Sequence, residues 1–515
     1  MKQLILLLLV SIILVACNTN ARVEPSKAMY FGMTSTIEHL NPILTEEGHS
    51  ELISLVYRGL MKQTEDNDVT GDLAKTFTVS DDGLTYTFTL HKATWHDEHP
   101  ITADDVVFTL NSIITPETAS PYYSDFPSVT NVRAINNETV EITVDQPTPT
   151  LLHKLKVGIL PKHIYEDQNM MAARENKQPI GNGPYVLESW NAEEVLTFRA
   201  NTQFYGNKPK IESIVVYTKL DENAKLLRLK TGDLHVAQVT PQQMKTVENY
   251  NNMTLKKTQT ADYRALQFNQ NHAQLQDVNV RRAINHFIDR AQLQQLVLLG
   301  TGEQAFGPLQ RSFARSDQKI YALNINEGKR LLKAAGYMKT NGYFKKDGQP
   351  LSFEIVAPIT DPIRTNLATI IVEQLQNQGV DARLQTKDWT NITIEKEDTF
   401  MIGWGSEDDP DTHTYRVFHS SEHAPNGYNY ALVSNSNMDA ALEKAKSGSK
   451  EERIVAYEEF QQHLADEMAF SFLLYIDGIY AISKNLEGVG NRTLGHNGFG
   501  LLWNIENWYW EDEDV

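Results

Sequence analysis

Apolar and polar residues alternate through Phe77-Thr-Val79-Ser80 and again through Leu84-Thr-Tyr86-Thr-Phe88-Thr-Leu90, on either side of Asp81-Asp82-Gly83. Period-two alternation marks a strand with one buried face, and an Asp-Gly turn accepts positive φ, so an antiparallel hairpin is predicted. The period then changes. Thr102-Ala103-Asp104-Asp105 precedes Val106, Val107 and Leu110, an N-cap with an acid three residues on, which starts a helix. Strand-like runs return at 140–144 and 211–217, interleaved with helical periods at 224–229, 280–298 and 327–335. Residues 351–356, 363–378 and 380–384 read as strand, helix and strand, with Gly379 closing the helix, the order of a right-handed crossover. This alternation predicts α/β lobes, mixed sheets flanked by helices, and no repeat array. Over 280–298, Val280, Ile284, Phe287 and Ile288 take the core face, which leaves Arg281, Arg282, Asp289 and Arg290 to a solvated one.

The first residues follow a different pattern. Lys2 precedes an apolar stretch from Leu4 to Ala16, and Cys17, the only cysteine in 515 residues, comes next. That stretch is shorter than the ~20 residues of a membrane-spanning helix. A positive start, a short apolar run and a small residue before cleavage make a signal peptide, and with cysteine following, residues 1–16 resemble a bacterial lipoprotein signal. Cys17 is then the lipid anchor and 17–28 a polar tether containing Pro25. The folded part is expected outside the cytoplasmic membrane, in the periplasm or at the cell exterior. With Cys17 so used, no thiol remains for disulfides, cysteine-bound zinc, iron–sulfur clusters or a cysteine nucleophile. The length and the 41% hydrophobic content suffice for two or three globular units. A formal charge of −19 argues against nucleic acid as partner, which would demand a basic face, and residues 511–515 read as an acidic tail.

Eight short blocks occur in order: Leu40-Asn41-Pro42, Tyr57-Arg58-Gly59-Leu60, Asp72-Leu73-Ala74, the hairpin over 80–88, Thr102-Ala103-Asp104-Asp105-Val106, Gly181-Asn182-Gly183-Pro184-Tyr185, Val280-Arg281-Arg282-Ala283-Ile284-Asn285 with Ile288-Asp289-Arg290, and Ala334-Ala335-Gly336-Tyr337. Behind a lipoprotein signal, they resemble the peptide- and nickel-binding extracellular solute-binding proteins, family 5, of bacterial ABC importers, over nearly all of the mature chain. The resemblance implies a two-lobe clamshell. Lobe 1 would span 29–262, with an extra subdomain at about 60–180, and be completed by 485–510; lobe 2 would span 263–484. Hinge strands are expected near residues 260 and 485. It also implies a monomer that hands a small-molecule ligand to the permease subunits of the importer, touches the membrane through its lipid alone, and carries no prosthetic group. Catalysis is not expected. A hydrolase would have no contiguous motif behind it, since Gly-x-Ser-x-Gly, His-Glu-x-x-His and a phosphate-loop lysine are all missing.

Candidate chemistry concentrates in Gly403-Trp404-Gly405-Ser406-Glu407-Asp408-Asp409-Pro410-Asp411, followed by His413, Arg416, His419 and His423. The resemblance puts Trp404 on the cleft wall. In the peptide binders an aspartate three residues after this tryptophan captures the peptide α-ammonium, because an enclosed cation must be paired. Here that position is Glu407, with Asp408 beside it. The spacing to Asp409-Pro410 is one residue shorter than in the common peptide-binder pattern, as in the nickel- and glutathione-binding branches. Imidazole suits nickel, and the same branches point to two metal ligands: His496, in the glycine-flanked loop Gly495-His496-Asn497-Gly498, and His423. His419 and His423 also stand four apart, the spacing of two ligands on one helix side. Arg364, in Asp361-Pro362-Ile363-Arg364, and then Arg416 offer the fork that a carboxylate needs. His96 and His99 are read as part of a hairpin end and not as a metal pair. The expected cargo is a nickel chelate, for example nickel with free histidine; short peptides, from dipeptides to oligopeptides or glutathione, are the alternative.

Overall fold

The computed structural model describes residues 28–45, 50–191, 194–316, 321–405, 409–425 and 427–511. Cys17 and the residues before it, Glu407, Asp408 and residues 512–515 lie outside the described residues.

The chain folds as two lobes threaded by one eleven-stranded mixed sheet. From one edge its strands are Asp381–Lys387, Ser352–Pro358, Thr399–Trp404, Met253–Phe268, Phe470–Ser483, Val236–Gln238, Ala28–Gly32, Ser213–Tyr217, Val195–Ala200 and Tyr185–Asn191, with Glu303–Gln304 beside Phe470–Ser483. The crossover read from the sequence is present. Ser352–Pro358 and Asp381–Lys387 pair in parallel, joined by the Pro362–Gln378 helix. Gly379 ends that helix at φ +96°, a left-handed conformation that glycine adopts without penalty.

Two long antiparallel strands, Met253–Phe268 and Phe470–Ser483, carry the sheet from lobe to lobe. Leu266, Phe268, Leu473 and Leu474 join the second-lobe core, whereas Tyr480 and Ile482 join the first-lobe core with Met29, Phe31 and Trp508. Their pairing is interrupted between Gln259 and Tyr263, opposite Asp477 and Tyr475, and a gap in the ladder is where two packed bodies can pivot. We assign the second crossing to Asp477 and not to residue 485, because Ile482 already pairs with Val236 of the first lobe.

The extra subdomain is a four-stranded antiparallel sheet in the order Ala74–Val79, Thr85–Leu90, Thr139–Val144, Val129–Asn136. The predicted hairpin is its first pair, with Phe77 opposite Phe88. The Ala103–Ile113 helix begins where the sequence places it, the Asp105 carboxylate accepting from the Thr102 N–H at 2.8 Å.

The reading of 280–298 needs two corrections. Two helices stand there, Val278–Phe287 and Arg290–Val297. Arg281 and Arg290 are also not on a solvated face, being only 2% and 4% exposed. Arg281 donates to the carbonyls of Leu275 (2.7 Å), Gln276 (2.9 Å) and Met468 (3.1 Å), and Arg290 to that of Phe472 (2.6 Å). A guanidinium has five N–H donors, and hydrogen bonds from a charged donor contribute about 1.5–3 kcal/mol each, enough to offset much of the desolvation that pushes both pKa values down to about 10. Among the described residues no helix is long and apolar enough to cross a membrane.

Candidate functional site

A cavity of about 930 Å³ opens between the lobes, within the ~300–1,000 Å³ usual for small-molecule sites. Met33, Lys225 and Thr240 line it from the first lobe, Arg264, Arg364 and Trp404 from the second, and Asp477 and His496 from the crossing strand and the loop beyond it.

The crossing strand Met253–Phe268 reads Ala261-Asp262-Tyr263-Arg264-Ala265 where it enters the second lobe, and period two puts Asp262 and Arg264 on one face. They form an ion pair, 0% and 1% exposed. The Asn497 N–H donates to Asp262 Oδ2 at 2.9 Å, Arg264 Nη2 donates to Asn497 Oδ1 at 3.0 Å, and Gln238 Nε2 donates to the Asn497 carbonyl at 2.7 Å. The loop carrying His496 is thus tied to both lobes. Burial pushes the Asp262 carboxyl up, but Arg264, then His496 and the Asn497 N–H, outweigh it and hold it well below the usual carboxylate range.

His496 Nδ1 lies 3.0 Å from Asp262 Oδ1. With Asp262 ionised, Nδ1 carries the proton and donates, leaving the Nε2 lone pair available. No described residue takes up Nε2. Its ring stands 6.4 Å from that of Trp404 at 33°. A carboxylate holding one imidazole nitrogen while the other faces a cavity is the usual setting of a metal-ligating histidine.

Arg364 completes the site. Its backbone N–H donates to Asp361, the helix N-cap, at 3.0 Å, and its Nε is 3.2 Å from the Asp361 carboxylate. The guanidinium is 5.3 Å from the Trp389 ring centroid, over its face. Gly403 makes room for it: a Cβ there would collide with the Arg264 guanidinium and lie 3.0 Å from Arg364 Nη2. Two guanidiniums therefore converge on one glycine, one of them in the first turn of a helix, where the dipole disfavours a cation. Burial, then Arg264, pushes the Arg364 pKa down to about 10, against the pull of Asp361 and Asp262. Asp262 beside Arg264 and Asp361 beside Arg364 therefore offset the two guanidiniums one for one.

The other nominated residues are dispersed. Trp404 ends its strand at the cavity, stacked on Tyr428 at 5.0 Å. Arg416 lies over Tyr428 at 4.2 Å and lines a separate seam between the lobes with Asp125, Lys154 and Asp411. There Lys154 reaches Asp411 across the lobes at 3.5 Å. His423 Nε2 is 2.7 Å from the Val433 carbonyl, within its own loop, and does not line the cavity. The helix spacing of His419 and His423 does not apply, since the helix Asp411–Phe418 ends before them; His419 Nδ1 meets Ser421 Oγ at 2.7 Å instead. Of the acidic run, Asp409 pairs with Arg453 and is 2% exposed. Sequence reasoning missed Asp262, Arg264 and Asn497. A usable signal was present in the opposite charges two positions apart in Ala261-Asp262-Tyr263-Arg264-Ala265-Leu266.

Comparison with known proteins agrees with this architecture. The family model of bacterial extracellular solute-binding proteins, family 5, matches residues 68–425. The crystal structure of NikZ from Campylobacter jejuni in complex with Ni(L-His) superposes with a TM-score of 0.88 at 35% identity, covering 94% of this chain and 100% of that one. The oligopeptide-binding protein AppA from Bacillus subtilis, solved with a nonapeptide, gives 0.80 at 26% identity over 94% and 98% of the two chains. Protein XP55 of Streptomyces lividans is 28% identical over 485 residues, 92% of this chain and 88% of its own. A clamshell with a charged interlobe cavity, matched by that family model over most of its length, identifies the chain as belonging to the bacterial extracellular solute-binding proteins, family 5, the substrate-binding components of ABC importers.

Proposed function

We propose that the cargo is a nickel chelate, nickel held by free histidine or a similar small carboxylate-bearing chelator. The observation that carries this reading is that His496, its Nδ1 held by Asp262, and Arg364 line the same cavity. His496 would occupy a coordination position, Arg364 would take a chelator carboxylate, and Trp404 would close the wall. The 35% identity to a protein solved with Ni(L-His) supports it. A short peptide is the second reading, favoured by the likeness to AppA; its α-carboxylate would take Arg364 and its α-ammonium Glu407, with Asp408 adjoining. Calorimetric titration decides between them. Nickel with excess histidine is expected to bind with a stoichiometry of one while di- to nonapeptides give no heat; tight peptide binding without metal overturns the nickel reading. Glu407→Gln is expected to leave nickel–histidine affinity within about threefold and would cripple binding of a peptide ammonium.

We also propose that the protein is held at the membrane through lipid on Cys17. Cys17→Ser is expected to abolish labelling by a radioactive fatty acid and to release folded protein into the soluble fraction. Membrane retention of that variant would contradict the anchor.

A further inference from the structure

A second cluster of metal-ligating groups stands on the extra subdomain, apart from the cleft. Residues 95–99 form a tight turn in which the Trp95 N–H donates to the His99 carbonyl at 2.8 Å, between the bridged Thr94 and Pro100. His96 points inward: its Nδ1 accepts from the Gly181 N–H at 3.2 Å and its Nε2 lies 3.1 Å from the Gly183 carbonyl. Asp97 and His99 instead meet His163, from the short helix Lys162–Tyr165. His163 Nε2 is 2.8 Å and His99 Nδ1 3.1 Å from the same oxygen, Asp97 Oδ2. The two imidazoles stack with centroids 4.3 Å apart, and one ligand atom from each of the three residues lies within 4.8 Å of the others.

We propose that Asp97, His99 and His163 form a three-ligand site for a borderline divalent cation such as Zn²⁺, Ni²⁺ or Cu²⁺. Two neutral imidazoles and a carboxylate are the donor set such ions prefer. Ligand atoms about 3.3 Å apart surround a tetrahedral ion with arms of ~2.0–2.1 Å, so each imidazole need only draw back from Asp97 Oδ2, now at 2.8 and 3.1 Å, by a fraction of an ångström. His99, 60% exposed, has room for that movement and leaves the remaining coordination position to water. None of the three residues lines the interlobe cavity, so occupancy is independent of the cargo. The reading of this segment as a hairpin end set the His96–His99 pair aside, and the third ligand comes from a helix that the fold brings to the turn.

The test is titration of the full-length protein with Zn²⁺, with no chelator added, followed by calorimetry and, with Co²⁺, by visible absorption. One ion is expected to bind with the intense bands of a tetrahedral cobalt site. His99→Ala and His163→Ala should each weaken Zn²⁺ binding at least about tenfold, Asp97→Asn should weaken it while keeping the shape of the turn, and His496→Ala should leave it unchanged. Wild-type affinity in the His99→Ala/His163→Ala double variant, or loss of the ion in His496→Ala alone, overturns the proposal.

Discussion

Asp262→Ala is expected to lower stability by about 3–5 kcal/mol, the cost of breaking a buried ion pair from one side, and to weaken ligand binding as well. The carboxylate has no accessible surface and serves three partners: the Arg264 guanidinium, His496 Nδ1 and the Asn497 N–H. Without it, Arg264 is a buried cation whose nearest charge is another cation, because its guanidinium and that of Arg364 converge on Gly403. Among the described residues, Asp361 would remain to offset the pair. The loop around His496 would also lose its tie to the crossing strand, so fold and site fail together. Denaturant unfolding of the variant measures the first effect, and a midpoint equal to that of the wild type would show that the network contributes nothing.

The same carboxylate predicts a pH dependence. Its folded-state pKa is depressed well below the ordinary range, so its contribution is fully present above the unfolded value of ~3.9 and is lost as pH falls below that toward the folded value. Acid unfolding of the wild type below about pH 4 should therefore be steeper than that of Asp262→Asn, which has nothing to titrate at this position.

Local features of this chain were legible because their causes are local. The Phe77–Phe88 hairpin follows from period-two alternation around Asp82-Gly83, and the strand–helix–strand unit ending at Lys387 from Gly379 at the helix end. The arginines of the 278–297 helices were misread because a helical wheel shows which face a side chain takes but not what lies opposite. There the neighbours were carbonyls of Leu275, Met468 and Phe472, which a guanidinium can bind. The site was half legible. Arg364 and His496 stood out as an arginine opening a helix and a histidine between glycines, while Asp262 and Arg264 became meaningful only when the two-lobe topology brought the 495–500 loop against the crossing strand. Between His423 and His496 the flanking glycines favoured His496 on sequence, and tertiary placement separates them further, since His496 lines the cavity and His423 is turned to the Val433 carbonyl.

That separation makes the sharpest test of the cargo. His496→Ala should preserve the fold, because the side chain is partly exposed and belongs to none of the apolar cores, and should weaken nickel–histidine binding at least about tenfold, as loss of a ligand must exceed what second-shell changes cost. His423→Ala removes an imidazole whose Nε2 is committed to the Val433 carbonyl at 2.7 Å; it should cost about 0.5–1.5 kcal/mol of local stability and leave the affinity unchanged. Titrating both variants with nickel and excess histidine reads the difference directly. A loss confined to His496→Ala places the metal at the Asp262-held imidazole. Equal wild-type affinity in both, and in the double variant, would remove the metal from the imidazoles altogether and leave Arg364 to hold a peptide carboxylate, with its ammonium at Glu407.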